Sequence, residues 1–155
     1  MGWPERKLCP LYPERYGLES RHLDWSPDGK WLVFDDRNSS EPVLNLYVLA
    51  VESGSIRRLT HAPPQSIGDL GPRFSRDGSR VSFIRITGRF VADLHVATLD
   101  GARVWPLTSG QRVIDHDWSA DGRAIIFSSD RDGTSRLWQA ATDGRSARFY
   151  DLEGP

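Results

Sequence analysis

An aromatic-Ser-x-Asp-Gly motif occurs three times in this chain, and its spacing constrains the fold more than any other feature. The copies are Trp25-Ser26-Pro27-Asp28-Gly29, Phe74-Ser75-Arg76-Asp77-Gly78 and Trp118-Ser119-Ala120-Asp121-Gly122. Their aromatics stand 49 and 44 residues apart. A short apolar run follows each copy: Trp31-Leu32-Val33-Phe34, Val81-Ser82-Phe83-Ile84 and Ala124-Ile125-Ile126-Phe127. Further on come Asn45-Leu46-Tyr47-Val48-Leu49, Asp93-Leu94-His95-Val96-Ala97 and Ser135-Arg136-Leu137-Trp138-Gln139-Ala140. A turn at Ser53-Gly54, Asp100-Gly101 or Asp143-Gly144 then precedes a closing run. Those runs are Arg58-Leu59-Thr60, Pro106-Leu107-Thr108 and, more loosely, Phe149-Tyr150-Asp151-Leu152.

Four strand signals per unit, joined by Asp-Gly turns at a period in the forties, predict propeller blades. The expected fold is all-β: three four-stranded antiparallel blades over about 22–60, 72–108 and 115–152, within a domain at 22–155. We label the strands of each blade A to D. Asp-Gly permits the positive φ of a tight turn, and a Ser two positions before the Asp can bond the turn backbone. Trp25, Phe74 and Trp118 alternate with polar neighbours, so they are expected to point between stacked blades.

The motif Trp25-Ser26-Pro27-Asp28-Gly29-Lys30, with the Leu46-Tyr47-Val48 strand and the Arg58-Leu59-Thr60 close, resembles the WD40-like repeat of the TolB-type β-propeller family. The resemblance runs from about residue 22 to 152 and is best in the first repeat. The second repeat departs at Phe74 and Arg76, and the third at Ala120 and in lacking a Leu-Thr close. The resemblance implies a six-bladed ring and a range of roles. Members bind partners in the periplasm, sense for membrane-linked regulators, or accompany peptidases and carbohydrate-active enzymes. A ring needs about four blades or more. Three blades leave apolar faces uncovered, so association is expected. Two chains pairing head to tail would give six blades, and a piece of a longer propeller or another oligomer are the alternatives. Residues 1–21, rich in Pro and charge, form an N-terminal arm rather than a fourth blade.

Composition narrows the function. Twenty basic and 21 acidic residues nearly cancel, with no long basic run, which argues against a phosphate-tracking nucleic-acid binder. The single cysteine, Cys9, excludes an internal disulfide framework and any Cys-based zinc site. The longest apolar stretch, residues 43–51, is interrupted by Asn45 and far too short for a membrane span. No secretory signal opens the chain, which places it in the cytoplasm unless a leader was removed, in which case the periplasm is expected.

The A–B turns are short and uniform. The B–C connections at 35–44, 85–92 and 128–134, and the D–A connections at 61–71 and 109–115, read as longer and more varied. Binding chemistry is therefore expected on the face they share and at the channel mouth. Asp24, Arg73 and Asp117 precede the blade aromatics and should line the channel by strand alternation. His61, Asp69, Arg112, Asp115 and His116 are the further candidate ligand-binding residues on that side. A plain solvated loop residue is the default for each. Asp115-His116-Asp117 places a histidine between two carboxylates, but alternation sends His116 to the opposite side, and no metal-ligand spacing occurs. There is no Gly-x-Ser-x-Gly elbow and no phosphate loop. No catalytic residue, metal or cofactor is assigned. The expected function is a non-enzymatic scaffold that docks a protein or peptide. The alternatives are a propeller enzyme acting on carbohydrate or peptide through acid–base or metal chemistry, and a sensor fragment of a larger regulator.

Overall fold

The computed structural model describes residues 22–38, 41–143 and 147–149. Twelve strands and no helix occur among them. Blade one comprises β1 (Leu23–Trp25), β2 (Trp31–Asn38), β3 (Glu41–Ala50) and β4 (Ile56–Arg58). Blade two comprises β5 (Gly68–Phe74), β6 (Arg80–Gly88), β7 (Val91–Thr98) and β8 (Val104–Pro106). Blade three comprises β9 (Val113–Trp118), β10 (Ala124–Ser129), β11 (Arg136–Ala141) and β12 (Ala147–Phe149). Each blade is an antiparallel meander in chain order. The expected N-terminal arm and the expected close at Phe149-Tyr150-Asp151-Leu152 lie outside the described residues, apart from the backbone of 147–149.

The repeated turn works as its chemistry requires. In the first copy the Ser26 hydroxyl donates to Asp28 Oδ1 at 2.6 Å and accepts the Trp31 N–H at 2.9 Å. Asp28 Oδ1 also accepts the Lys30 N–H at 3.0 Å. Ser75-Asp77 and Ser119-Asp121 repeat this network. The glycines at 29, 78 and 122 have φ of 70°, 71° and 68°, the left-handed region that a side chain penalises. These hydroxyl and amide donors hold the Asp28, Asp77 and Asp121 carboxyls below the usual range, Asp77 at about 2.

Inner strands adjoin, β1 beside β5 and β5 beside β9, so the blades stack in sequence. One apolar cluster joins Val33, Leu46, Val48 and Leu59 of blade one to Phe74, Val81, Phe83 and Ala97 of blade two. A second joins Ile84, Leu94, Val96 and Leu107 to Val113, Ile125, Phe127, Trp138 and Ala140. Each buried aromatic adds about 1.5–3 kcal/mol by area alone. As expected, Phe74 and Trp118 enter these junctions, Phe74 fully and Trp118 in part. Trp25 has no described blade before it and is largely exposed.

Close backbone approach is sharpest at the first junction, where Leu44 forms a parallel bridge with Gly68. A Cβ at Gly68 would lie 2.3 Å from the Leu44 carbonyl oxygen, and its φ of 128° also demands glycine.

The expected long B–C connections at 35–44 and 85–92 are not loops. Strands β2 and β3 run on to Asn38 and Glu41, and β6 and β7 to Gly88 and Val91. Only the third blade has a B–C loop of some length, between Ser129 and Arg136. The reason is tertiary: Asp35, Asp69 and Arg85 find buried partners that let the strands continue. Blade two accordingly begins at Gly68 rather than near residue 72. Chemical variety on that face thus gathers in the D–A crossovers rather than in the B–C connections.

Candidate functional site

Two D–A crossovers are built alike. In blade one Thr60 Oγ1 accepts the Leu46 N–H at 3.0 Å, and Asn45 Oδ1 accepts the Ala62 N–H at 2.8 Å. In blade two Thr108 Oγ1 accepts the Leu94 N–H at 2.9 Å and donates to Asp93 Oδ1 at 3.0 Å. Asp93 also accepts the Gly110 and Gln111 amides at 3.0 and 2.9 Å. The Leu-Thr close and the Asn or Asp that faces it therefore shape the crossover. The sequence signal for these two residues was their repeated place before Leu46 and Leu94, which marks Asn45 and Asp93 as crossover-holding residues.

Asp24, Arg73 and Asp117 occupy one register position on β1, β5 and β9, paired with Val33, Ser82 and Ile126. They form a row alternating in charge along the adjoining inner strands. Asp24 Oδ1 accepts the Trp25 N–H at 3.0 Å, while Oδ2 crosses to the Phe74 N–H of blade two at 2.7 Å. Arg73 is half-buried and donates to the Pro72 carbonyl at 3.2 Å. Asp117 is exposed, with Oδ1 on the Trp118 N–H at 2.8 Å. Asp115 is also exposed and accepts the His116 N–H.

His116 points away from both aspartates, into the junction, where Nε2 meets the Ser82 hydroxyl at 2.9 Å. Burial, with the Arg73 charge adding to it, pushes its pKa down to about 4, so the ring is neutral at pH 7. Its Nδ1 is buried with no hydrogen-bond partner among the described residues.

The other candidates are dispersed. Asp69 is fully buried and gripped by Arg85 through bonds of 2.7 and 2.8 Å. His61 is exposed on the first crossover. Arg112, on the second, pairs with Asp130 at 3.2 Å and stands 5.2 Å from the ring centre of exposed Phe90. The structure thus brings Asp24, Arg73, Asp115 and Asp117 onto the inner strands as exposed or half-buried groups, buries Asp69 of the same strand β5 against Arg85, and leaves His61 and Arg112 on the crossovers. Among the described residues, no three His, Cys, Asp or Glu side chains gather as a metal-binding group. No helix among them is long and apolar enough to cross a membrane.

Two open hollows lie on the opposite, turn-bearing side. One, of about 250 Å³, is lined by Ser75, Arg76, Asp77, Arg80, Asp121 and Gly122. The other, of about 530 Å³, is lined by Trp31, Arg57, Ser79, Thr98, Leu99 and Asp100. The sequence marks several of these residues as turn and strand residues of the repeat, and none as a site residue. Arg57, Arg76 and Arg80 already donate to carbonyls of the following blade, at Leu99, Ala120 and Gly122. The hollows are seams of the blade junctions.

No family model matches the chain. A dipeptidyl-peptidase 5 from Aspergillus fumigatus is 27% identical over 178 residues, covering 95% of this chain and 24% of that relative. The chain therefore spans about a quarter of that curated protein's length. Among solved structures, the TolB-assigned protein of Agrobacterium tumefaciens superposes with a TM-score of 0.72 at 27% identity, over 84% of this chain and 45% of that one. TolB of Acinetobacter baumannii superposes with a TM-score of 0.67 at 22% identity, over 86% and 32%. The stacked four-stranded meanders are β-propeller blades. With the aromatic-Ser-x-Asp-Gly repeat and these structural likenesses, the chain is a TolB-like β-propeller.

Proposed function

We propose that this propeller is a docking module, binding a protein or peptide along the inner-strand row and the adjoining crossover face. The observation that carries the reading is how its polar groups are used. Asp35, Asp69 and His116 are buried in strand and blade contacts, while Arg73, Asp115 and Asp117 present charge on the inner strands. Alternating carboxylate and guanidinium groups suit a polypeptide, whose backbone offers donors and acceptors in turn. The paired strands fix the backbone that bears these groups, which lowers the ordering cost on binding.

Selection from a displayed random-peptide library, followed by calorimetry of the enriched peptides, tests this. The double variant Arg73→Ala/Asp117→Ala should lose binding at least tenfold while keeping its melting temperature within a few degrees. Unchanged binding by that variant would remove the inner-strand row from the reading.

A second reading rests on the likeness to the fungal dipeptidyl-peptidase, which covers nearly all of this chain but a quarter of the relative. In that reading the blades govern access to a peptidase site carried elsewhere. Hydrolysis of dipeptidyl nitroanilides by the purified chain together with a peptidase partner, and by neither alone, would favour it over the docking module.

A further inference from the structure

The B–C hairpin of blade two ends in a tip unlike that of blade one. Gly88 pairs with Val91, so the tip residues are Arg89 and Phe90. In blade one Asn38 pairs with Glu41, and the residues between them are Ser39 and Ser40. Phe90 is 63% exposed, more than any other large apolar side chain among the described residues. The Arg89 guanidinium stands 5.5 Å from its ring centre and that of Arg112 5.2 Å, both within the range of cation–π attraction. Arg112 is a second departure from blade one. It bridges to Ala92 in parallel, as Gly68 bridges to Leu44, so a guanidinium emerges where the first junction has no side chain. Asp130 pairs with Arg112 at 3.2 Å, and Arg131 donates to Gln111 beside it. Asp132 is taken up by Arg136 at 3.9 Å. Three guanidiniums, of Arg89, Arg112 and Arg131, are thus set against the single carboxylate of Asp130 around an uncovered ring.

We infer that this corner of the crossover face binds an acidic segment of a partner polypeptide, one with a carboxylate beside an apolar side chain. Charge and exposure set that chemistry together. Phe90, with exposed Val91 next to it, offers apolar area that contact would remove from water. Arg89 has no hydrogen-bond or ion-pair partner among the described residues, and Arg112 is held by a single carboxylate. A purely apolar cover would desolvate these guanidiniums and leave their donors unmet, which costs more than the ring returns. A carboxylate meets them in a bidentate pair. Aromatic and arginine side chains together are the usual anchors of a polypeptide interface, and arginine clusters read acidic segments. A nucleic-acid strand fits less well, because Asp130 and Asp132 stand among the same arginines and the chain carries a net charge of −1. The corner belongs to the middle blade and its junction with blade three, so it does not depend on what adjoins either end of the stack. The inference rests on the docking reading above and names the chemistry of what docks.

Peptides selected from a displayed random library on the unmodified chain, with the Phe90→Ser variant used to remove other binders, test this. The recovered peptides should carry Asp or Glu beside an aromatic or aliphatic residue. Their affinity, measured by fluorescence anisotropy, should fall about tenfold with Phe90→Ser and with Arg89→Ser, and should weaken as salt is raised. Both substitutions lie at an exposed hairpin tip and should leave the melting temperature unchanged, which separates lost binding from lost folding. Recovered peptides that lack carboxylates overturn the inference, as does failure to recover any. Peptides selected without that removal step that lose binding to Arg73→Ala/Asp117→Ala but keep it with Phe90→Ser leave the docking reading standing and overturn this one. A labelled oligothymidylate that binds more tightly than the selected peptides overturns it as well.

Discussion

The two blade junctions share an arginine that donates to a carbonyl of the following blade, and they differ in the polar contacts made elsewhere. Between blades one and two, carboxylates of the first blade accept backbone N–H groups of the second. Asp24 Oδ2 takes the Phe74 amide, and Asp35 Oδ2 takes the Gly71 amide at 3.0 Å while also bonding His22 at 2.9 Å. Between blades two and three, the junction runs on donors to carbonyls and on one neutral ring. Trp118 bonds the Arg73 carbonyl, Arg76 and Arg80 bond the Ala120 and Gly122 carbonyls, and His116 bonds Ser82. Arg80 also lies 5.0 Å from the Trp118 ring centre. One swap on the inner strand underlies much of this. Asp24 can reach forward to an amide, whereas Arg73 at the same position offers its backbone carbonyl instead. A repeat can therefore keep its apolar contacts while exchanging the polar ones of its inner strand.

The largest test asks whether the apolar layers are equivalent. Phe83→Ala in the first junction and Phe127→Ala in the second should each cost about 3–5 kcal/mol, because both rings are fully buried. Urea unfolding would measure both. Costs that differ by more than about 2 kcal/mol would show that one junction collapses around the cavity better than the other.

Acid should separate the junctions next. His116 titrates at about 4 when folded and near 6.5 when unfolded. The unfolded chain thus binds more protons between those values. Stability is fully present above pH 6.5 and is lost as pH falls towards 4, by on the order of 3 kcal/mol. His95, also pushed down by burial, acts in the same direction. Asp35, pushed up by its own burial, acts in the opposite one: its contribution declines as pH rises above the ordinary carboxyl value. Melting curves from pH 7 to 4 on the unmodified chain and on His116→Gln should show a shallower acid loss in the variant. Equal slopes would assign the acid sensitivity to other groups.

Removal of the forward-reaching carboxylate comes third. Asp35→Ala strands the Gly71 amide and removes the carboxylate that bonds His22, and should cost about 2 kcal/mol. Asp35→Asn, which keeps an acceptor, should cost less. A thermal-shift series on both variants checks the order. The smallest effect belongs to Trp118→Phe, which keeps the ring but removes the indole donor to the Arg73 carbonyl, for about 1 kcal/mol. A cost near zero would mean that the Trp118 ring holds its place by packing, without help from this hydrogen bond.

The blade count, the strand order and the turn chemistry were legible because each depends on residues close in sequence. The Ser26-Asp28-Gly29 network closes within six residues, and its two copies repeat bond for bond. His116 was also correctly sent away from Asp115 and Asp117, since strand alternation is local. The B–C connections were misjudged for the converse reason. Asp35 and Asp36 look like turn residues, yet Asp35 sits inside a strand because Gly71, 36 positions away, supplies a donor. Asp69 looked like a loop ligand, and Arg85 buried it.

The sequence by itself determined that the chain makes twisted four-stranded units of one kind, since alternation and turn geometry act over a few residues. Only the tertiary structure decided which charges are spent in the junctions, where Asp24 and Arg73 reach, and which apolar positions remain uncovered at the two ends of the stack. Those outcomes depend on what the next blade presents, and a buried polar group is stable only when that distant partner completes its hydrogen bonds.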